Sequence, residues 1–319
     1  MRNGTFILAA IVVGLLVFGA ARLSGNDYVF FAGYVVLQYV VLATAWNILG
    51  GYCGYVNFGA AAFFALGAYS SVVVHKLVPL PVPLLIVIGG LVSALVGLAT
   101  GFLTLRLRGV FFSIATLALA VVLQTLITNW HFVGGSRGAY ILRPAQIHLF
   151  GEGIAINYVE YLFLIMLGLA IVAIATARAI ERSRLGIGFA SIRDDEQAAE
   201  ACGVPTLRLK LVATTLSGMF MGMAGAPLPY YVTFLDPHSA FNLAYGVNSI
   251  AMPLIGGAAT WVGPLIGALL LGTIQQVATV TISSAVNLLI VGLLLVGFVI
   301  VAPNGIVGLA QSRTRAGRS

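Results

Sequence analysis

The sequence predicts an all-α integral membrane protein with about ten transmembrane helices, some of them short or broken. Of its 319 residues, 60% are hydrophobic and only 8% are charged, and the mean hydropathy is +1.06. A soluble domain carries roughly 25% charged residues. The apolar runs are close to the length of a helix that crosses a bilayer, and they lack the alternation of barrel strands. The net charge of +7 therefore reflects where basic residues lie relative to a membrane, and nucleic-acid binding is not expected.

Ten apolar segments follow one another and are predicted to form one transmembrane domain over residues 1–319. The first segment follows a basic start and ends in small residues, so it fits a cleaved signal peptide or an uncleaved span; the charge pattern favours the span. The stretch 241–280 carries Asn248 and Pro253, and the number of helices there stays open by one. The predicted spans are 5–23, 28–49, 56–74, 83–105, 110–130, 158–177, 211–231, 241–257, 261–280 and 286–302.

Basic residues divide unevenly between the two sides of this topology. With the N-terminus inside, twelve of the 16 basic residues lie on the cytoplasmic side, and an inverted topology reverses the bias. The positive-inside rule expects the first arrangement. We therefore predict a multi-pass protein with both termini in the cytoplasm, including the basic tail 308–319. The four basic residues predicted outside are Arg22, Lys76, Arg137 and Arg143.

One long polar interruption, residues 178–210, separates the sixth and seventh predicted spans. It holds 11 of the 25 charged residues and is predicted to face the cytoplasm. Within it, Asp194 or Asp195 suits the N-cap of a short helix, Gly203 suits its left-handed C-terminal residue, and Pro205 prevents continuation. Two interpretations stay open. The segment is an ordinary solvated loop, or it presents a short helix with a small, smooth face to a groove of another protein.

The residue chemistry argues against several functional classes. Neither Lys76 nor Lys210 follows a glycine, so there is no Walker A motif, and the four histidines lack zinc-ligand spacing. No nucleophile with a base indicates an enzyme, and no acid or base sits in the middle of a predicted span, as it does in ion-coupled carriers. We expect no bound cofactor or metal, and no disulfide between Cys53 and Cys202. The expected source of energy is a separate ATPase, which would bind the polar loop and drive the helices between inward-open and outward-open states.

Neutral polar residues in the predicted spans also have two interpretations. They bond helices to one another, or they line a weakly hydrated path for a polar solute. Irregular backbone at membrane depth is tolerated only where it is buried or lines a cavity, which draws attention to the break at 253–264. The candidate pathway residues are Asn57, Thr116, Gln124, Asn248, Pro253, Gly256 and Gly257.

Four stretches, 105–117, 192–210, 217–231 and 255–268, resemble the permease subunits of branched-chain amino acid ABC importers, in the LivM-like branch. The first reads LRLRGVFFSIATL, and all four occur in that family's order. The chain departs from the pattern at Ile187, where the family has an arginine, and at Ala259, where it has a third glycine. Arg137 stands where an acid is frequent, and this departure leaves the substrate open.

The resemblance implies an assembly with a second, LivH-like permease, two cytoplasmic ATPase subunits that use ATP, and an extracytoplasmic solute-binding protein. It implies the bacterial cytoplasmic membrane, whose lipid surrounds the chain, and leaves open whether the permease pair is hetero- or homodimeric. Branched-chain amino acids are the expected substrates, and urea, short amides or aromatic acids are alternatives. A standalone channel or facilitator for a small neutral solute is the alternative of another class. The residues implied to couple to the ATPase are Arg193, Asp194, Asp195, Glu196, Ala198, Ala199, Glu200 and Gly203.

Overall fold

The computed structural model describes residues 3–23, 25–104, 109–142, 146–149, 154–281, 287–301 and 305–309. The α-helices are α1 Asn3–Leu23, α2 Asp27–Leu49, α3 Ala60–Leu77, α4 Val82–Thr104, α5 Val110–Asn129, α6 Tyr158–Glu181, α7 Arg184–Asp194, α8 Glu196–Ala201, α9 Thr206–Gly225, α10 Leu228–Val232, α11 Pro237–Ala240, α12 Leu243–Gly256, α13 Val262–Thr281 and α14 Asn287–Val301. The strands are β1 Ala139–Tyr140, β2 Gln146–Leu149, β3 Ile154–Asn157 and β4 Phe234–Leu235, and two short 3₁₀ helices are His131–Val133 and Gly135–Arg137.

The predicted all-α membrane fold is confirmed, because each of the ten predicted spans coincides with a helix. Within the described residues, eight helical segments are long and apolar enough to cross a bilayer: α1 to α6, α9 continued through α10, and α13. With 14 and 15 residues, α12 and α14 are shorter than the ~20 residues that a spanning helix needs. α12 lies in the stretch 241–280, where the sequence predicts a less regular helix and leaves the helix count open by one.

Two predicted boundaries are wrong. The third span begins at Ala60 and not at residue 56, because Asn57 Oδ1 accepts a hydrogen bond from Gly59 N–H at 2.7 Å and holds a turn there. The predicted polar loop 178–210 is mostly helical, with α6 extending to Glu181 before α7 and α8 begin. The predicted arginine pair at 106 and 108 and most of the tail 308–319 lie outside the described residues.

The centre of the bundle is formed by α2, α3 and α9, which are largely buried, with α4 packed along α9. By contrast, α1 and α5 lie at the periphery and expose most of their side chains. α1 contacts the bundle through the Phe18 ring, whose centroid lies 5.9 Å from that of Phe30 and 6.3 Å from that of Phe163, and through Phe6. The two peripheral helices therefore have fewer restraints than the central ones.

The close packing of α3, α4 and α9 depends on small residues. A Cβ added at Gly67 of α3 would overlap the carbonyl of Gly222 in α9, and one added at Gly222 would overlap Ser93 of α4. Ser93 also donates a hydrogen bond to the carbonyl of Phe63 at 3.1 Å. Small residues permit such close backbone approach between helices in a membrane.

We expect Gly67→Ala to lower the unfolding free energy by about 1–3 kcal/mol, because the added methyl group meets backbone that cannot move aside easily. Gly168→Ala is the matched control, since a Cβ there has no atom within 4 Å. Thermal unfolding of both variants in the same detergent measures the difference. Equal midpoints for the two variants would contradict the close packing of α3 against α9.

The bundle has two distinct ends. The first, called the loop end, carries α7, α8, the α2–α3 connection (residues 50–59) and the turn between α12 and α13, near which Gly305 also packs. The opposite end carries β1 paired antiparallel with β4, and β2 paired antiparallel with β3. The candidate site lies at the loop end.

Candidate functional site

The loop end is built from two consecutive capped helices. Ser183 caps α7 by accepting a hydrogen bond from Leu185 N–H at 3.2 Å. Asp195 caps α8 by accepting hydrogen bonds from Gln197 and Ala198 N–H at 2.9 and 3.0 Å, and Gly203 follows α8 with φ of +82°. The predicted caps of α8 are therefore present. Sequence reasoning missed α7, whose signals are the Ser183 cap and the inward-facing Phe189 and Ile192.

A buried ion pair holds α8 against the bundle. Lys210 Nζ of α9 lies 2.7 Å from Glu196 Oε1 of α8, and both side chains are largely buried. The Tyr55 hydroxyl of the α2–α3 connection donates a hydrogen bond to Glu196 Oε2, and Lys210 Nζ donates one to the Tyr55 hydroxyl at 3.2 Å. Lys210 Nζ also lies 4.9 Å from the centroid of the Tyr55 ring. We call Tyr55, Glu196 and Lys210 the anchor triad.

A second contact joins α7 to the same connection. Arg193 Nη1 donates a hydrogen bond to the carbonyl of Gly51 at 3.1 Å. The Arg193 side chain also crosses Gly54, where an added Cβ would lie 2.9 Å from Arg193 Cγ. Gly54 has φ of +80°, a conformation that favours glycine, and the close Arg193 side chain leaves little space for a Cβ atom. Arg193 and Glu196 thus seat the α7–α8 unit on one short segment.

The eight implied coupling residues divide between two faces. Ala199 is 5% exposed and packs inward, and Glu196 is committed to the anchor triad. Glu200 is exposed but its Oε1 accepts a hydrogen bond from Thr206 at 2.7 Å, which ties α8 to the start of α9. The residues on the outer face are Arg193, Asp194, Asp195, Ala198, Glu200 and Gly203. A contact with another protein at this end would use that outer face.

A polar and aromatic cluster, which sequence reasoning missed, braces α6 at the loop end. Glu181 Oε2 accepts hydrogen bonds from Trp261 N–H at 2.7 Å and from the Tyr52 hydroxyl at 3.4 Å. The buried Arg178 guanidinium lies 3.9 Å from the Phe6 ring centroid and 5.3 Å from that of Trp261. These contacts bring α1, α6 and the α12–α13 turn together. No local sequence signal could have paired residues so far apart in the chain.

Asn57 and Thr116, two candidate pathway residues, hold the α2–α3 connection in place. The carbonyl of Asn57 accepts a hydrogen bond from Trp46 Nε1 at 2.9 Å. Thr116 Oγ1 of α5 accepts one from Phe58 N–H at 3.1 Å, and the Asn57 and Thr116 side chains are both buried. Gln124 lies further along α5 and is half-buried. The three residues do not form one cluster with Asn248.

Asn248 lies in a separate polar network inside the bundle. Its Nδ2 donates a hydrogen bond to the Tyr39 hydroxyl at 3.2 Å, and its Oδ1 accepts one from Gln275 Nε2 at 2.9 Å. We call Tyr39, Asn248 and Gln275 the interior polar network. Aromatic rings lie beside it, since Tyr245 packs 6.4 Å from Tyr39 and 4.3 Å from Phe64, measured between ring centroids. Amide and hydroxyl groups beside aromatic rings suit a polar solute with an apolar side chain.

Pro253, Gly256 and Gly257 lie away from this network, where α12 crosses α13 near the loop end. A Cβ at Gly256 would overlap the carbonyl of Gly263, and Gly257 has φ of +121°. The structure assigns these residues to a close helix crossing and a tight turn. Within the described residues, no group of three or more His, Cys, Asp or Glu side chains is placed to hold a metal ion.

The two cysteines differ in environment. Cys53 in the α2–α3 connection is buried, and Cys202 beside α8 is exposed; neither forms a disulfide. Burial raises the pKa of the Cys53 thiol to about 12, against the opposing effect of Lys210. Thiolate is the reactive form, so Cys53 stays protonated and unreactive at neutral pH.

Within the described residues, eight helical segments are long and apolar enough to cross a bilayer, and the two short helices α7 and α8 pack against one end of the bundle. These features define a multi-pass integral membrane protein. The chain belongs to the family described as branched-chain amino acid transport system / permease component, whose pattern matches residues 28–299. It is a permease of the branched-chain amino acid ABC transport family.

Three relatives illustrate the range of this similarity. The chain is 27% identical over 301 residues to the LivM permease protein of high-affinity branched-chain amino acid transport from Salmonella typhimurium, covering 88% of this chain and 70% of the relative. It is 24% identical to a probable LivH permease protein of Methanocaldococcus jannaschii, covering 79% and 83%. It is 25% identical to the L-arabinose ABC transporter permease AraH of Azospirillum brasilense, covering 66% and 61%. No solved structure matches the chain.

Proposed function

We propose that this chain is one transmembrane subunit of an ATP-driven importer and moves its solute by alternating access. Two separate ATPase subunits would drive it, beside a second, related permease and an extracytoplasmic solute-binding protein. The observation that supports this most is the α7–α8 unit, which projects a small outer face while its inner face is fixed to the bundle by the anchor triad. A helix held this firmly suits the transmission of force.

Branched-chain amino acids are the proposed substrates, since relatives across most of the chain carry LivM names. The interior polar network supports a solute that combines hydrogen-bonding groups with an apolar side chain. The match to an L-arabinose permease makes a sugar the second candidate, because this family spans both solute types. Urea, short amides and aromatic acids are further candidate substrates, which a screen of labelled solutes would test.

Purification of this subunit from native membranes in mild detergent, followed by reconstitution into liposomes, tests the proposal. We expect an ATPase and a second permease to co-purify, and uptake of labelled leucine to require ATP and the solute-binding protein. Uptake of labelled arabinose in place of leucine would replace the proposed substrate and would leave the proposed importer unchanged. Conduction of solute by this chain alone, in the absence of ATP, would overturn the importer and favour a self-sufficient channel.

We further propose that the loop end faces the cytoplasm, in the bacterial cytoplasmic membrane. Cys202 is a natural reporter of this orientation because it is exposed beside α8, whereas Cys53 is buried. We expect a membrane-impermeant maleimide to label one thiol per chain in inverted vesicles and none in right-side-out vesicles. Cys202→Ser should abolish the labelling. Labelling in right-side-out vesicles, with none in inverted vesicles, would reverse the proposed orientation.

The pH dependence of this labelling gives an internal check. The raised pKa of Cys53, about 12, predicts that its thiol stays unlabelled as the pH rises from 7 to 9, because its thiolate form is still scarce there. Denaturation in detergent should then expose it and increase labelling to two thiols per chain. Labelling of Cys53 in the native protein at pH 7 would contradict its burial.

A further inference from the structure

The α2–α3 connection, residues 50–59, contacts the α7–α8 unit on one side. Glu196 and Lys210 bond to Tyr55, and Arg193 bonds to the carbonyl of Gly51. The Lys210 and Glu196 side chains are 4% and 13% exposed, so water screens their attraction little. A displacement of α8 along the membrane would therefore carry Tyr55 with it.

The same connection contacts α5 on its other side. The Tyr55 ring meets the Phe112 ring edge to face, with centroids 5.1 Å apart. Ser113 Oγ donates a hydrogen bond to the carbonyl of Val56 at 2.9 Å, and Phe58 N–H donates one to Thr116 Oγ1 at 3.1 Å. Three positions on α5 (112, 113 and 116) are thus fixed to three positions of the connection (55, 56 and 58).

Helix α5 has few other attachments to the bundle. Its buried side chains are Phe112, Thr116 and Ile127, and the first two belong to the contacts just described. In contrast, α4 buries ten of its residues, with Ser93 among those packed against α3 and α9. A force on the connection would therefore move α5 more easily than α4.

We propose that Glu196, held between Lys210 and Tyr55, is a positioning residue that passes the movement of α8 through the α2–α3 connection to α5. Helix α5 is then the element that moves when the solute path opens and closes. This inference rests on the proposed ATP-driven function. It assigns the buried carboxylate a role in transmission, distinct from the outer face of α8 that would meet the ATPase.

The test uses the complete importer with two variants of the anchor triad. Glu196→Met with Lys210→Met removes both charges, and replacement of a buried ion pair by apolar side chains of similar volume is often neutral for folding. Tyr55→Phe removes only the hydroxyl and keeps the ring against Phe112. Arg208→Met is the matched control, because Arg208 is exposed on the first turns of α9.

We expect the double variant and Tyr55→Phe to assemble and hydrolyse ATP, with solute moved per ATP reduced about tenfold, within the usual range of coupling between sites. The Arg208→Met variant should move as much solute per ATP as the unaltered complex. A purely packing role for the triad would lower thermal stability and yield together, and would leave the ratio of solute to ATP unchanged. That result would overturn the inference.

A spin label reports the movement directly. Val122→Cys places it on the exposed face of α5, and Leu95→Cys places a reference label on α4, both with Cys202→Ser. We expect ATP to change the spectrum at position 122 and not at 95, and the triad variants to abolish that change. An unchanged ATP response at 122 in the double variant would overturn the inference. If the unaltered complex shows no ATP-dependent uptake, the proposed function fails, and the inference fails with it.

Discussion

Ala198→Arg should abolish ATP-dependent uptake and leave the amount of protein in the membrane unchanged. Ala198 is exposed on the outer face of α8, where a long charged side chain does not disturb this chain's own packing. A bulky side chain in the middle of a docked interface costs about 2 kcal/mol or more, which lowers binding more than tenfold. Uptake in reconstituted liposomes and co-purification of the ATPase measure the two consequences.

Ala199→Arg is the matched variant, one residue further along the same helix. Ala199 is buried, so the arginine would have to enter the space beneath α8, where overpacking alone costs about 1–3 kcal/mol. We expect less of this variant in the membrane, with a lower thermal midpoint, in addition to lost uptake. If Ala198→Arg retains full uptake and ATPase binding, the outer face of α8 is not the coupling surface.

The contrast between these neighbours shows what the sequence could predict at this site. Asp195 and Gly203 act through bonds and angles within a few residues, so the helix between them was predictable from local signals. The inward direction of Ala199 was not, because alanine is common on both buried and exposed faces. The hydrogen bonds that orient α8 join positions 55, 196 and 210, and no local pattern pairs them.

The membrane helices were predictable for a different reason. A bilayer requires apolar segments of about twenty residues, and such segments are recognisable directly in the sequence. The interior polar network was not predictable, because Tyr39, Asn248 and Gln275 meet only after α2, α12 and α13 pack together. Glycines such as Gly186 and Gly188 also lowered the helical signal of α7, although packing against α6 and α9 requires small residues there.

Gln275→Leu should reduce uptake at least about tenfold while changing the unfolding free energy by less than about 1 kcal/mol. Hydrogen bonds between membrane helices contribute only about 0.6 kcal/mol on average, so a purely structural role predicts a small effect on both quantities. A role in contacting the solute predicts a large effect on transport alone. Uptake kinetics and thermal unfolding of the same preparation separate these two roles.

Gln276→Leu is the matched control for this change, on the same helix and with the same side chain. Gln276 is half-buried and meets the Tyr28 hydroxyl at 3.5 Å, outside the interior polar network. We expect its uptake to stay close to that of the unaltered importer. Asn248→Leu, which removes the shared partner of Tyr39 and Gln275, should resemble Gln275→Leu. Equal, small effects of all three variants would assign the network to helix packing, and the solute path would then lie elsewhere in the bundle.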